Sequence, residues 1–383
     1  MDSVLTSVCF DPIEFRKKLH RTPELSEQEQ QTSTQIATQL KAFGLSPIEH
    51  IGGYGIICII DSGTKGETTL FRADFDALPI CENNHHDHTS QNLGVMHACG
   101  HDGHTTSLLL VAQQLSTHPP KTGKVILLFQ PAEEIGTGAA AMLLDKNLKN
   151  LKVDNVFAYH NLPGYPLGQI LVKENTFACA STGVLIKLEG KTSHAARPEN
   201  GISPCAAMME IIDYLQTMPE SYSQAFTLVT IVHAQLGEQA FGVSPGEAKV
   251  MATMRSDCNQ TFANMKINLS KKLKELSQDH GIDVSLNWDE PFNATVNSNR
   301  HSRLIEQQAK KIGMSVQHLQ QPMRWSEDFA EFLQQWNGAL FCIGSGESHP
   351  ELHNPDYDFP DQLLKTASDV FISLIDTLHN DSR

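Results

Sequence analysis

Apolar residues along this chain follow two rhythms, and the change between them divides the sequence. Short unbroken apolar runs recur at residues 55–61, 68–73, 124–129 and 153–159. Runs of that length without polar alternation predict strands buried on both faces, as in a largely parallel sheet. Helices separate them. Asp11-Pro12 opens one that runs to His20, a capping residue ahead of a proline at the first helical position. Ser26-Glu27-Gln28-Glu29 has the form of a capping box for a helix reaching Phe43 and stopping at Gly44. Residues 105–115 and 138–147 read as helices.

From about Ser181 the rhythm changes. Val184, Ile186 and Leu188 alternate with Leu185, Lys187 and Glu189, the mark of a half-buried strand. A helix from Ser203-Pro204 to Met218 follows, then strands at 226–233 and 247–255, a helix at 260–280 and a strand at 283–288. The order β-α-β-β-α-β is ferredoxin-like. The first style then returns, with helices at 301–312 and 327–335, a strand at 339–343 ending in Gly344-Ser345-Gly346, and a last helix at 361–379. The predicted fold class is α/β. A first domain (1–178 and 290–383) is built on a mixed, largely parallel sheet, and an α+β satellite is inserted at 179–289.

Composition narrows the class without naming a ligand. Two domains suit 383 residues, and 40% hydrophobic with 19% charged residues describes a globular protein. No run of eighteen apolar residues suggests a membrane span. A net charge of -15 argues against nucleic acid or an anionic membrane as partner. The start, MDSVLTSVCFDPIEF, shows no basic region followed by an apolar one, so a cytoplasmic protein is expected. The eight cysteines are scattered and read as thiols rather than bridges.

The chemistry concentrates in Met96-His97-Ala98-Cys99-Gly100-His101-Asp102-Gly103-His104-Thr105. Cys99 and His101 lie two apart, so a turn can aim thiolate and imidazole at one point, a donor pair suited to zinc and similar ions. Asp102 and His104 are near enough to orient them. Other polar clusters sit just past predicted strand ends: Asp74 and Asp76, Glu133 and Glu134, and His160. That edge of an open α/β sheet is where ligand sites form. Cys99, His101, Glu134, His160 and His353 are therefore the candidate metal ligands, with Asp76 and Asp102 as their supports. Such a set can hold two divalent ions. Adjacent Glu133 and Glu134 point to different sides of an extended backbone, so one can ligate while Glu133 acts as general base.

These motifs resemble the M20 family of metal-dependent peptidases and amidohydrolases, in particular the hydrolases of N-acyl amino acids, hippurate and auxin conjugates. The resemblance rests on Arg72-Ala73-Asp74-Phe75-Asp76-Ala77-Leu78-Pro79, the 96–106 stretch and Phe129-Gln130-Pro131-Ala132-Glu133-Glu134. It extends to Gly190-Lys191-Thr192-Ser193-His194-Ala195-Ala196-Arg197-Pro198, Ser326-Glu327-Asp328-Phe329 and Leu352-His353-Asn354-Pro355. It implies the same five ligands for two ions (Zn²⁺, Mn²⁺, Co²⁺ or Ni²⁺), with Cys99 as bridge and Glu133 as base. It also implies a homodimer, or a tetramer, assembled through the satellite domain. His194 would then serve as an oxyanion donor, often in the partner subunit's site.

Arg255, at a strand end, is a candidate partner for a substrate carboxylate, with a surface salt bridge as the alternative. The turn at Gly344 offers backbone amides to a substrate, with an ordinary loop as the rival. Two segments depart from the family pattern, Gly242-Val243-Ser244-Pro245 and Ala252-Thr253 before Arg255. Both fall on the part expected to select substrate. Asn83-Asn84-His85-His86-Asp87-His88 reads as a solvated histidine-rich loop, with a peripheral metal site as the alternative. The expected reaction is metal-dependent hydrolysis of an N-acyl amino acid. The alternatives are a dipeptidase, an N-acetyl-diaminopimelate deacetylase, or a dimeric metal-binding module without turnover.

Overall fold

The computed structural model describes residues 10–380. The opening residues read above for a leader peptide lie largely outside that range. Two compact units are present. One runs to Asn175 and resumes at Val296–Gln320 and from Glu331, and the other comprises Thr176–Thr295 and Gln321–Ala330. Residues 321–330, placed with the first domain by the sequence, thus pack with the second unit.

The first unit is built on an eight-stranded mixed sheet. Its order is Pro47–Ile51, Gly55–Asp61, Lys124–Gln130, Thr68–Asp74, Asn155–Leu162, Gly338–Gly344, Ile170–Val172 and Val316–His318. The four strands from Lys124–Gln130 to Gly338–Gly344 are mutually parallel. Their carboxyl ends therefore share one edge. Asp74 pairs with Gln130, and His160 with Cys342, in this register. The central strands are buried almost throughout, which is why their sequences do not alternate. Phe71, Phe157, Tyr159, Phe341 and Phe371 fill the core beneath the helices. Burying one such side chain contributes about 1.5–3 kcal/mol.

Pro12–Arg21 is a helix, and Asp11 caps it by accepting from the amides of Ile13 and Glu14. Several elements differ from the pattern reading, each for a local reason. Pro47–Ile51 is a strand that a short, half-exposed polar segment did not announce. The helix expected at 105–115 is His101–Thr117, because the polar side chains of its first turn find partners inside the protein. The expected 138–147 helix breaks at Asp145, which caps a separate short helix, Lys146–Lys149. The expected 327–335 helix is confined to Ala330–Gln335. The capping box does not form. The helix is Gln30–Ala42 with no side-chain cap. Ser26 Oγ donates instead to Asp76 (2.8 Å), and Glu29 Oε1 accepts from the Ala132 amide (2.8 Å).

The second unit has a four-stranded sheet in the order Thr227–Leu236, Glu247–Ser256, Ala180–Glu189 and Asp283–Phe292, every neighbour antiparallel. With helices Cys205–Thr217 and Asn259–His280 it follows the β-α-β-β-α-β order. Val184, Ile186 and Leu188 join Ile211, Leu215, Leu269 and Leu273 in its core.

Candidate metal centre

The shared carboxyl edge of the parallel strands gathers the donors. Cys99 precedes the helix N-terminus, and Gly100 between Cys99 and His101 is left-handed (φ +89°). A Cβ there would lie 2.3 Å from Asn161 Oδ1, so only glycine permits the approach. Ala132 is also left-handed (φ 52°), held by Glu29, and it leads into Glu133 and Glu134, whose carboxylates come together beside His101 rather than on opposite sides of the backbone. His353, left-handed too (φ 65°), is fixed by its amide donating to Ala98 (2.8 Å).

Donor groups here include Cys99, His101 and His160; Cys99, Glu134 and His353; His101, Glu133 and Glu134; and, behind His101, Asp74, His101 and His104. Within each, the donor atoms lie no more than 4.8 Å apart. The first two groups share Cys99. His160 Nδ1 donates to the Asn161 carbonyl (2.7 Å), so Nε2 carries the lone pair it turns toward Cys99 Sγ (3.4 Å). His101 Nδ1 is held by Asp76, through its carbonyl (3.0 Å) and its carboxylate (3.1 Å). His101 Nε2 lies 3.7 Å from Glu134 Oε1, and both atoms are buried without a hydrogen-bond partner. Two buried polar atoms of a ligand type, aimed at one another and unpaired, fit a shared cation. His353 Nε2, on a half-exposed side chain, stands 3.7 Å from Glu134 Oε2.

The electrostatics agree. Burial, aided by Glu134 and Glu133, pushes the Cys99 thiol well above its usual range. Burial and Asp76 push Glu134 up to about 8 although His101 opposes them. Burial disfavours charge on His101, yet Asp74, Asp76 and Glu134 outweigh it and raise that ring to about 10. Anionic groups thus crowd one another around a point where positive charge would release them.

The sequence pattern matching peptidase family M20/M25/M40 spans residues 70–377. The chain belongs to that family. Among its relatives, hippurate hydrolase of Campylobacter jejuni is 31% identical over 363 residues, covering 94% of each chain. An N-acetylcysteine deacetylase of Bacillus subtilis is 30% identical over 366 residues, covering 94% of this chain and 95% of the relative. The crystal structure of a dinuclear metal-binding peptidase of family M20 from Bacillus subtilis superposes with a TM-score of 0.81 at 28% identity, covering 96% and 97%.

The remaining predicted residues of this M20 hydrolase have distinct surroundings. Asp76 supports both His101 and, through Oδ2, the Glu134 amide (3.0 Å). Asp102, read as a support for Cys99 and His101, instead takes His20 Nδ1 (2.9 Å) and Arg16 Nη1 (3.3 Å). It lies on the first helical turn, where His101 and Asp102 point in different directions. His194 is exposed in the second unit, on Ser193–His194 paired with Val243–Ser244. Its Nδ1 accepts from the Ala196 amide (3.0 Å), which leaves the proton on Nε2. Arg255 Nη1 donates to Arg324 O (2.9 Å) and Ser326 Oγ (3.3 Å). The Gly344 amide donates to Gln169 O (2.8 Å), and a Cβ at 344 would lie 2.2 Å from Pro166 O. Its glycine has a packing reason and its amide is engaged within the fold.

Sequence reasoning placed Asp74 at the site's edge without a role and did not single out Asn161 or Tyr357. Asp74 pairs with Arg72 and accepts from His104 Nδ1 (2.6 Å). Asn161 Oδ1 meets His104 Nε2 (2.6 Å), and Asn161 Nδ2 donates to Tyr357 (2.6 Å). The adjacency of Asn161 to His160 was the available signal. Only the register shows its use.

Proposed function

We propose that this M20 hydrolase cleaves the amide bond of N-acyl amino acids, using two divalent ions held by Cys99, His101, Glu134, His160 and His353. The observation that carries the reading is the pair of donor groups sharing Cys99, with Glu133 in a third group beside them. When bound, the ions supply Lewis acidity to the amide carbonyl and lower the pKa of a water. Glu133, buried and with Oε2 3.9 Å from His101 Nε2, takes the proton of the attacking water. It then delivers that proton to the leaving nitrogen. Asp76 keeps His101 in the tautomer with its lone pair on Nε2. His194, whose Nε2 carries the proton, donates to the oxyanion from the partner subunit of a homodimer. Arg255 has further guanidinium donors for the carboxylate of the amino-acid half.

Relatives named for hippurate and N-acetylcysteine support an N-acyl amino acid as substrate. No helix among the described residues is long and apolar enough to cross a membrane. The seven described cysteines are all free, which suits the reducing cytoplasm. The test is hydrolysis of hippurate, N-acetyl amino acids and dipeptides by protein loaded in turn with Mn²⁺, Zn²⁺ and Co²⁺. Turnover of acylated amino acids well above dipeptides is expected. Preference for free-amine dipeptides would replace this reading with a dipeptidase. Cys99→Ala should bind fewer ions, and unchanged metal content would remove Cys99 from the set.

A further inference from the structure

The histidine-rich loop is not simply solvated. Glu82, His86 and His88 fold against His20 and Asp358, with Arg16 and Asp102 behind them. We propose that His20 Nε2, Glu82 Oε1, His86 Nε2 and Asp358 Oδ2 form a second, structural site for a zinc-like divalent cation, separate from the Cys99 centre.

The tautomers support this. His20 Nδ1 donates to Asp102 Oδ2 (2.9 Å) and Nε2 donates to Glu82 Oε1 (3.3 Å), so a cation here would take the place of the Nε2 proton. Thr89 gives its hydroxyl proton to the His86 carbonyl (2.7 Å), so its oxygen receives His86 Nδ1–H at 3.3 Å. His86 Nε2 then faces Glu82 Oε1 at 3.3 Å and Asp358 Oδ2 at 3.9 Å, and it is buried with no hydrogen-bond partner. Two imidazole Nε2 atoms thus face carboxylates, one of them without a partner, and a cation between them would satisfy all four groups.

The distances fit such an ion. Bonds of about 2.0–2.2 Å in a tetrahedron place neighbouring donors roughly 3.3–3.6 Å apart. One ligand atom from each of His20, His86 and Asp358 lies within 4.8 Å of the others, and Glu82 Oε1 stands 3.3 Å from both Nε2 atoms. The surroundings fit as well. Asp102 behind His20 makes the carboxylate–histidine–metal arrangement that fixes a ligand's tautomer. Asp358 Oδ1 is taken by Arg16 Nη1 (2.6 Å), which turns Oδ2 toward the site. His88 stacks on His86 with centroids 3.6 Å apart and planes at 4°, setting the angle of the His86 ring. Its own Nε2 donates to Asp358 Oδ2 (2.9 Å), which leaves that oxygen a second lone pair for the site. Glu82, Asp102, Asp358 and Asp361 outnumber Arg16 and the His20 ring that they hold, so a dication reduces the excess of negative charge. Four protein donors leave no open position, which makes the site structural. It would tie the Pro12–Arg21 helix, the 82–88 loop and the loop before the last helix together.

The rival occupants are protons on His20 and His86. The test strips the full-length protein of metal, dialyses it against Co²⁺ or Zn²⁺, and counts ions per chain. His86→Gln should hold one ion fewer than wild type, with kcat unchanged. Asp358→Asn should do the same, which guards against a folding failure in either variant. Zn²⁺ should raise the Tm of wild type more than that of His86→Gln. Equal stoichiometry and equal Tm response in wild type and both variants would overturn the site. The outcome does not depend on the Cys99 centre, because Cys99→Ala should retain the ion that His86→Gln loses.

Discussion

Asp76 Oδ1 lies 3.1 Å from Nδ1 of His101, which directs the other ring nitrogen into the donor cluster. Such a partner sets both the tautomer and the basicity of a ligand, and its loss typically costs 10–100-fold in metal affinity. Asp76→Asn is expected to need about 10–100-fold more metal for half-maximal activity, with kcat largely regained at saturation. Titration of the stripped variant with Mn²⁺ or Zn²⁺ checks this. An unchanged metal requirement would leave His101 positioned by the backbone carbonyl of Asp76 alone.

Glu133→Gln keeps the volume of the side chain and removes its basicity. Loss of a positioned general base is expected to lower kcat by about 10²–10⁴ with little change in KM. Metal content should match wild type, because Glu134 provides the ligand. A variant that turned over normally would move the base elsewhere.

Gly100→Ala places a methyl group where Asn161 Oδ1 already stands and forces a left-handed backbone on alanine. The strain alone costs about 1–3 kcal/mol, and the contact adds to it. A lower Tm together with weakened metal binding is expected from thermal melts and metal analysis. Gly313, also left-handed but with open space around it, is the control. Gly313→Ala should show the strain cost and keep metal.

His301 is buried, and its Nε2 donates to Asn155 Oδ1 (2.9 Å). Burial, with Arg300 nearby, lowers its pKa to about 4. A histidine depressed from about 6.5 binds its proton more readily unfolded than folded. Its contribution is therefore complete above pH 6.5 and is lost as pH falls from 6.5 toward 4, reaching about 3 kcal/mol. Denaturant unfolding at pH 7 and pH 4.5 should show a smaller acid loss for His301→Gln than for wild type. Equal losses would mean that other groups carry the acid sensitivity.

The order of elements was legible because burial leaves a periodic record. Continuous apolar runs became the parallel strands, and Val184, Ile186 and Leu188 faced the core of the second unit. The donor types were legible too, since thiol, imidazole and carboxylate recur in short polar motifs between the apolar runs. The sequence could not say which polar side chain meets which. Ser26 and Glu29 had the spacing of a cap, yet they bond Asp76 and the Ala132 amide, partners about fifty and one hundred positions away. Asp102, one residue from a candidate ligand, turns to His20, while Asp76, twenty-five positions away, supports His101. His86 and Asp358 meet only because separate loops fold together. A polar group accepts any complementary partner that chain geometry delivers, so local spacing fixes its chemistry and tertiary packing chooses its use.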